Sequence, residues 1–250
     1  MKPWIARCLC LLMSGPFAVV THAEESDPAS RLQAVAAAPL RVVVSTRPLA
    51  RPVNSVAPPG LVQVDTLLPP GATPHDATMR PRQVQQLVSA DLVLWMGRDV
   101  EPYLVAWMQK RNGRSLDISA IDGVLQLPAR GHHDDEHAHE HGHTHNARFD
   151  IHLWWSRQNL LLAGNAVAEG LMALQPASQP AIARQQTQFQ QAMQQLAQEY
   201  APAAANIPPF AVFHDGWQYL EHDLGQQAAA GFVLDGELSM GVRHLAELQQ

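Results

Sequence analysis

The sequence predicts an α/β fold built on a parallel sheet. Strand-like and helix-like segments alternate along most of the chain. One strand-like run, "DLVLWM" (Asp91–Met96), is apolar throughout, as a strand buried on both faces is. A long Gln- and Ala-rich helix then separates this alternation from a second, shorter round of it, which suits a strut between two bodies.

The elements follow in order. Residues 24–39 form an Ala-rich polar lead-in with no regular pattern. "RVVVS" (Arg41–Ser45) and "LVQVDTLL" (Leu61–Leu68) read as strands. "PRQVQQLVSA" opens on Pro81 and repeats apolar residues at Val84, Leu87 and Val88, which predicts a short amphipathic helix with proline in its first turn. "DLVLWM" is the next strand and "EPYLVAWMQKR" the next helix. Residues 131–146 are poor in apolar side chains and predict a surface loop. Phe149–Trp155 ("FDIHLWW") reads as a strand, and Ser156 as the N-cap of a helix carrying Leu160, Ala163, Val167, Leu171 and Leu174 on one face. Pro176 ends that helix. The long helix, from about Ser178 to Tyr200, has the stripe Ile182, Phe189, Met193, Leu196 and Tyr200. "APAAANIPPF" marks a boundary; "FAVFHDG" and "GFVLDG" read as strands, "WQYLEHDL" and "SMGVRHLAELQQ" as helices.

Composition narrows the function. Residues 1–23 carry Lys2 and Arg7 ahead of a short apolar run that ends at Thr21-His22-Ala23, the pattern of a cleavable secretory signal peptide. The run is too short, and too interrupted by Gly15 and Pro16, to span a bilayer. Both cysteines, Cys8 and Cys10, fall inside it, so any metal site in the rest of the chain must use His, Asp, Glu or water. The formal charge of −6 comes without a basic patch, which argues against nucleic acid as a partner. No later segment is long and apolar enough to span a membrane.

Histidine is where the chemistry concentrates. Seven of the thirteen lie in one tract: His132, His133, His137, His139, His141, His143 and His145. Three others sit near ends of elements: His75 in a loop entering a helix, His152 and His214 at the ends of expected strands. Ligands collect at the carboxyl ends of strands in open α/β sheets, and three imidazoles meeting there would suit zinc. The alternative for each is a structural histidine held by hydrogen bonds. Asp150, two residues before His152, would face the same side of a strand and could hold the other imidazole nitrogen. His222 and His244, within helices beside charged residues, read as solvated.

These landmarks, "LLPPGATPHDATMRP", "ADLVLWMG", the His/Asp-rich loop, "HLWWS" and "VFHDGWQYLE", resemble the ZnuA-type periplasmic zinc-binding proteins of bacterial ABC importers, in family order from about Arg41 onward. The resemblance implies two α/β lobes with mainly parallel sheets, joined by one long rigid helix, with zinc as the cargo in the cleft. It implies residues 40–175 as the first lobe with the His-rich loop at 131–146, residues 176–202 as the linker helix and residues 203–250 as a partial second lobe. It carries the metal ligands onto His75, His152 and His214, with histidine at the third position resembling the zinc rather than the manganese type. It implies a periplasmic monomer whose partner is the membrane permease of a zinc ABC importer. The sequence departs from the family at Pro74, where some relatives have an acidic residue, and at Arg157, where a proline is usual. It stops at Gln250 with the second lobe about half built, without the family's later aspartate, so water is the expected fourth ligand. The tract is expected to bind extra zinc weakly, because ordering a loop costs entropy for each ion taken.

Two other functions use the same residues. A periplasmic zinc buffer would work through the tract. A zinc-dependent hydrolase would use three histidines and a water, but no HExxH-type pairing accompanies them.

Overall fold

The structure is a computed structural model and describes residues 38–70, 72, 78–130 and 149–233, with the backbone alone at 201 and 231–233. A four-stranded parallel sheet in the order β2-β1-β3-β4 contains β1 (Leu40–Val44), β2 (Val62–Thr66), β3 (Leu92–Trp95) and β4 (Arg114–Asp117). A second parallel pair joins β5 (Ala211–His214) to β6 (Ala230–Val233). Every residue of β3 is buried, as its unbroken apolar run requires.

Helices cover the larger sheet. On one face, α1 (Ala50–Val56) and α4 (Arg157–Leu174) share a core with β1 and β3 through Val53, Val56, Val167 and Leu171. On the other, α2 (Pro81–Ser89) and α3 (Pro102–Met108) enclose Val43, Val93, Trp95, Leu87 and Leu104. Pro81 opens α2, and Ser156 caps α4 by accepting from the Asn159 N–H. The helix α5 (Gln179–Ala204) spans 26 residues, roughly 39 Å at 1.5 Å per residue. Its near end docks on the first body: Ile182 is fully buried in the main core, and Phe189 lies so close to Gly164 that an added Cβ there would meet its ring at 2.3 Å. Farther along, Met193 and Ala204 are also buried, and the helix leads towards β5 and α6 (Gln218–Leu224).

Four local expectations need correction or extension. Residues 149–155 are not a strand: Phe149 makes one isolated antiparallel bridge to Pro128, and Leu153–Trp155 is a 3-10 turn. Asp150 accepts the His152 N–H at its start, and Ser156 caps α4 directly after it. The long helix runs on to Ala204 with Pro202 inside it, so the boundary falls later than the proline-rich composition suggests. Two elements emerge that the pattern did not announce, α1 and β4. Pro48 and Pro52 mask the period of the seven-residue α1, and β4 is only four residues long with two exposed positions. The expected helix "SMGVRHLAELQQ" and the signal-peptide reading lie outside the described residues.

Candidate metal-binding site

His152 stands at the end of the loop that enters the 3-10 turn before α4, and it is buried. His214 is the last residue of β5. Sixty-two residues apart in sequence, the two rings meet edge to face with centroids 4.9 Å apart. Their Nε2 atoms approach to 3.1 Å. Trp154 packs edge-on against His152 from another side at 5.1 Å.

The loop itself fixes the His152 ring. Asp150 Oδ1 lies 2.6 Å from His152 Nδ1 and also accepts the His152 backbone N–H at 2.8 Å. One carboxylate oxygen thus sets both the start of the turn and the orientation of the imidazole. The contact arises from a tight turn, not from two side chains on one strand face. With Nδ1 facing a carboxylate, Nε2 is the nitrogen presented to His214. Two nitrogens bound at 2.0–2.1 Å to one tetrahedral zinc stand about 3.4 Å apart. The observed 3.1 Å is within a few tenths of an ångström of that spacing.

Gly216 lies against both rings. A Cβ there would lie 2.9 Å from His214 Cδ2 and 3.0 Å from His152 Nε2. No side chain larger than hydrogen fits without moving a ring. Nothing in the sequence marked Gly216, because the demand comes from the turn after β5 meeting the distant His152 segment.

A charged layer lies behind the imidazoles. Arg130 pairs with Asp215 at 3.3 Å and with Glu221 at 2.5 Å. Burial raises the Asp215 carboxyl above its usual range; Asp150 and Glu221 add to this, while Arg130 opposes it. Burial alone would lower the Arg130 guanidinium, but its bonds to Glu221 and the neighbouring carboxylates win and raise it. Three carboxylates against one guanidinium leave the neighbourhood negative, which suits a dication. Tyr219, fully buried, receives the Leu127 N–H and donates to the Asp150 carbonyl at 2.7 Å. Burial raises its hydroxyl, which stays protonated.

His75 and the seven tract histidines lie outside the described residues. His222 is on the surface, 3.6 Å from Asp223. Among the described residues, no group of three His, Cys, Asp or Glu side chains could hold a metal; the site there is the pair His152 and His214.

Residues 42–250 match the family model described as zinc-uptake complex component A, periplasmic. The chain belongs to the ZnuA family. Among ZnuA proteins, the high-affinity zinc uptake system protein of Yersinia pestis is 29% identical, over 83% of this chain and 70% of that protein. The Haemophilus influenzae protein of the same description is 25% identical, over 84% of this chain and 73% of its own length. Among solved structures, a zinc-bound deletion mutant of ZnuA superposes with a TM-score of 0.67 at 21% identity, covering 84% of this chain and 75% of that one. The periplasmic zinc-binding protein TroA of Treponema pallidum gives 0.66 at 21% identity, with 84% and 73% covered. Those structures share this fold of parallel sheets and a long connecting helix.

Proposed function

We propose that the chain captures zinc in the periplasm and hands it, as a monomer, to the membrane permease of an ABC importer. His152 and His214 are ligands, His75 is the third, and Asp150 holds the His152 ring. Membership of the ZnuA family supports the transport role. The observation that carries the ligand assignment is the pair of Nε2 atoms 3.1 Å apart, one ring held by Asp150. Residues 1–23 act as the export signal that puts the chain in the periplasm, and no helix among the described residues is long and apolar enough to cross a membrane.

Family members are transport components, which leaves the hydrolase and buffer readings without an observation in their favour. The test is a competition titration against a chelator of known zinc affinity. His152→Ala and His214→Ala should each weaken the tight phase by orders of magnitude. Deleting residues 132–145 should remove only weak extra sites. If the double variant keeps the tight phase, the ligand assignment is wrong; if the deletion removes it, the tract is the working site.

A further inference from the structure

We propose that Arg130 is a positioning residue for zinc: a latch that holds β5 and α6 against the loop carrying His152 and so sets how slowly the ion leaves. The proposal rests on the cargo-site reading above and adds to it the group that governs release.

The geometry is specific. His152 and His214 belong to segments with no shared strand; β5 pairs only with β6 among the described residues. Something else must hold His214 at 3.1 Å from His152. Two links do so. Tyr219 of α6 bridges the Leu127 N–H and the Asp150 carbonyl, and Leu127 in turn accepts the Asp150 N–H at 2.7 Å. Arg130 reaches from the same Leu127 segment to two carboxylates, Asp215 beside His214 and Glu221 on α6. Glu221 is only 2% exposed and Asp215's side chain 9%, while the Arg130 side chain is 31% exposed, so both pairs are partly buried. Two carboxylates share one cation, Asp215 just after β5 and Glu221 within α6. The guanidinium therefore fixes both the position and the tilt of the element that presents His214. A planar fork does this and a single ammonium does not.

Release of a two-histidine-bridged ion requires the rings to separate. Their separation moves Asp215 and Glu221 away from Arg130 and leaves both carboxylates without their shared cation. The latch therefore opposes opening more than it assists capture, and its loss should appear in the dissociation rate, since variants of one interface differ mostly there.

The experiment is stopped-flow release of zinc from the full chain into excess chelator. Arg130→Gln should raise the dissociation rate about tenfold or more with the association rate little changed, and Arg130→Lys should recover part of the loss. Leu171→Ala, a core change in α4 that removes no hydrogen bond or ion pair of the latch, controls for general destabilisation: it should lower the melting temperature and leave the dissociation rate within about twofold. Should Arg130→Gln fail to fold, Glu221→Gln removes one partner charge and should also speed release. The latch is refuted if these variants release zinc at the unmodified rate, or if Leu171→Ala speeds release as much. His214→Ala, measured alongside, separates the failures: a tight phase surviving it sinks the cargo site, whereas its loss with unchanged release in Arg130→Gln sinks only the latch.

Discussion

At the residue scale, the site is built by close approach. Gly216 stands where β5 has turned back past its own histidine, with the Gly216 N–H donating to the His214 carbonyl at 2.8 Å. The space that its missing Cβ would fill is bounded by both imidazoles. Gly216→Ala should therefore push the rings off their spacing and weaken zinc about tenfold, the lower end of what disturbing the surroundings of a ligand costs. A calorimetric titration at matched folded fraction reads this directly, and an unchanged affinity would mean the rings have room that the structure does not show. Much of this site could be read from sequence. His152, His214 and Asp150 are residue types whose chemistry announces itself. Gly216, Tyr219 and Arg130 could not be singled out, since a glycine, a tyrosine and an arginine acquire these tasks only when residues 62 to 92 positions apart become neighbours.

At the element scale, the junction of β3 and α3 carries a buried acid. Glu101 is fully buried at the N-cap of α3 and accepts the Met96 N–H at 2.8 Å, turning the chain out of β3. Tyr103 donates to its other oxygen at 3.1 Å. Burial outweighs these bonds and raises the carboxyl to about 7 from 4.5. A raised carboxyl binds its proton more tightly folded than unfolded. The folded state then holds more protons between pH 4.5 and 7, and stability falls as pH rises through that window. The total loss is on the order of 3 kcal/mol, at 1.36 kcal/mol for each tenfold gain in proton affinity. Glu101→Gln keeps an acceptor for the Met96 N–H and removes the charge. It should flatten the fall in urea midpoint from pH 5 to pH 8; a midpoint that drops as steeply as before would assign the pH dependence to other groups. Elements of this kind also show what patterning conveys. The long runs, β3, α2, α4 and α5, were plain from period and caps. The 3-10 turn at Leu153–Trp155 was not, because its apolar residues serve a turn fixed by Asp150 and the cap at Ser156, and local propensity cannot see either bond.

At the scale of the whole molecule, the two sheets differ in how firmly they are held. β1 and β3 lie inside a four-stranded sheet with helices on both faces, and β3 is buried throughout. β5 belongs, among the described residues, to a pair of strands, and Phe213 within it is 72% exposed. Two strands alone are marginal in water, so β5 depends on the ties that it and α6 make to the larger body, among them the Arg130 ion pairs, the Tyr219 bridge, the Asp223–Arg157 hydrogen bond, the Trp155–Trp217 stack and the His152–His214 contact. On the proposed ligand assignment, zinc between the histidines would add a further tie, because an ion that binds only the folded arrangement stabilises it by mass action. That gain should be uneven. Opening of β5 and α6 breaks the site, whereas many fluctuations of the larger sheet leave the His152 loop in place. Native-state hydrogen exchange should therefore show amides of Ala211–His214 exchanging much faster than those of Leu92–Trp95 without metal. Saturating zinc should slow the first set strongly and the second only slightly. Equal protection in both sheets without metal, or an equal gain in both with it, would mean that the molecule opens as one cooperative unit and that the second sheet is held by more than the contacts around the site.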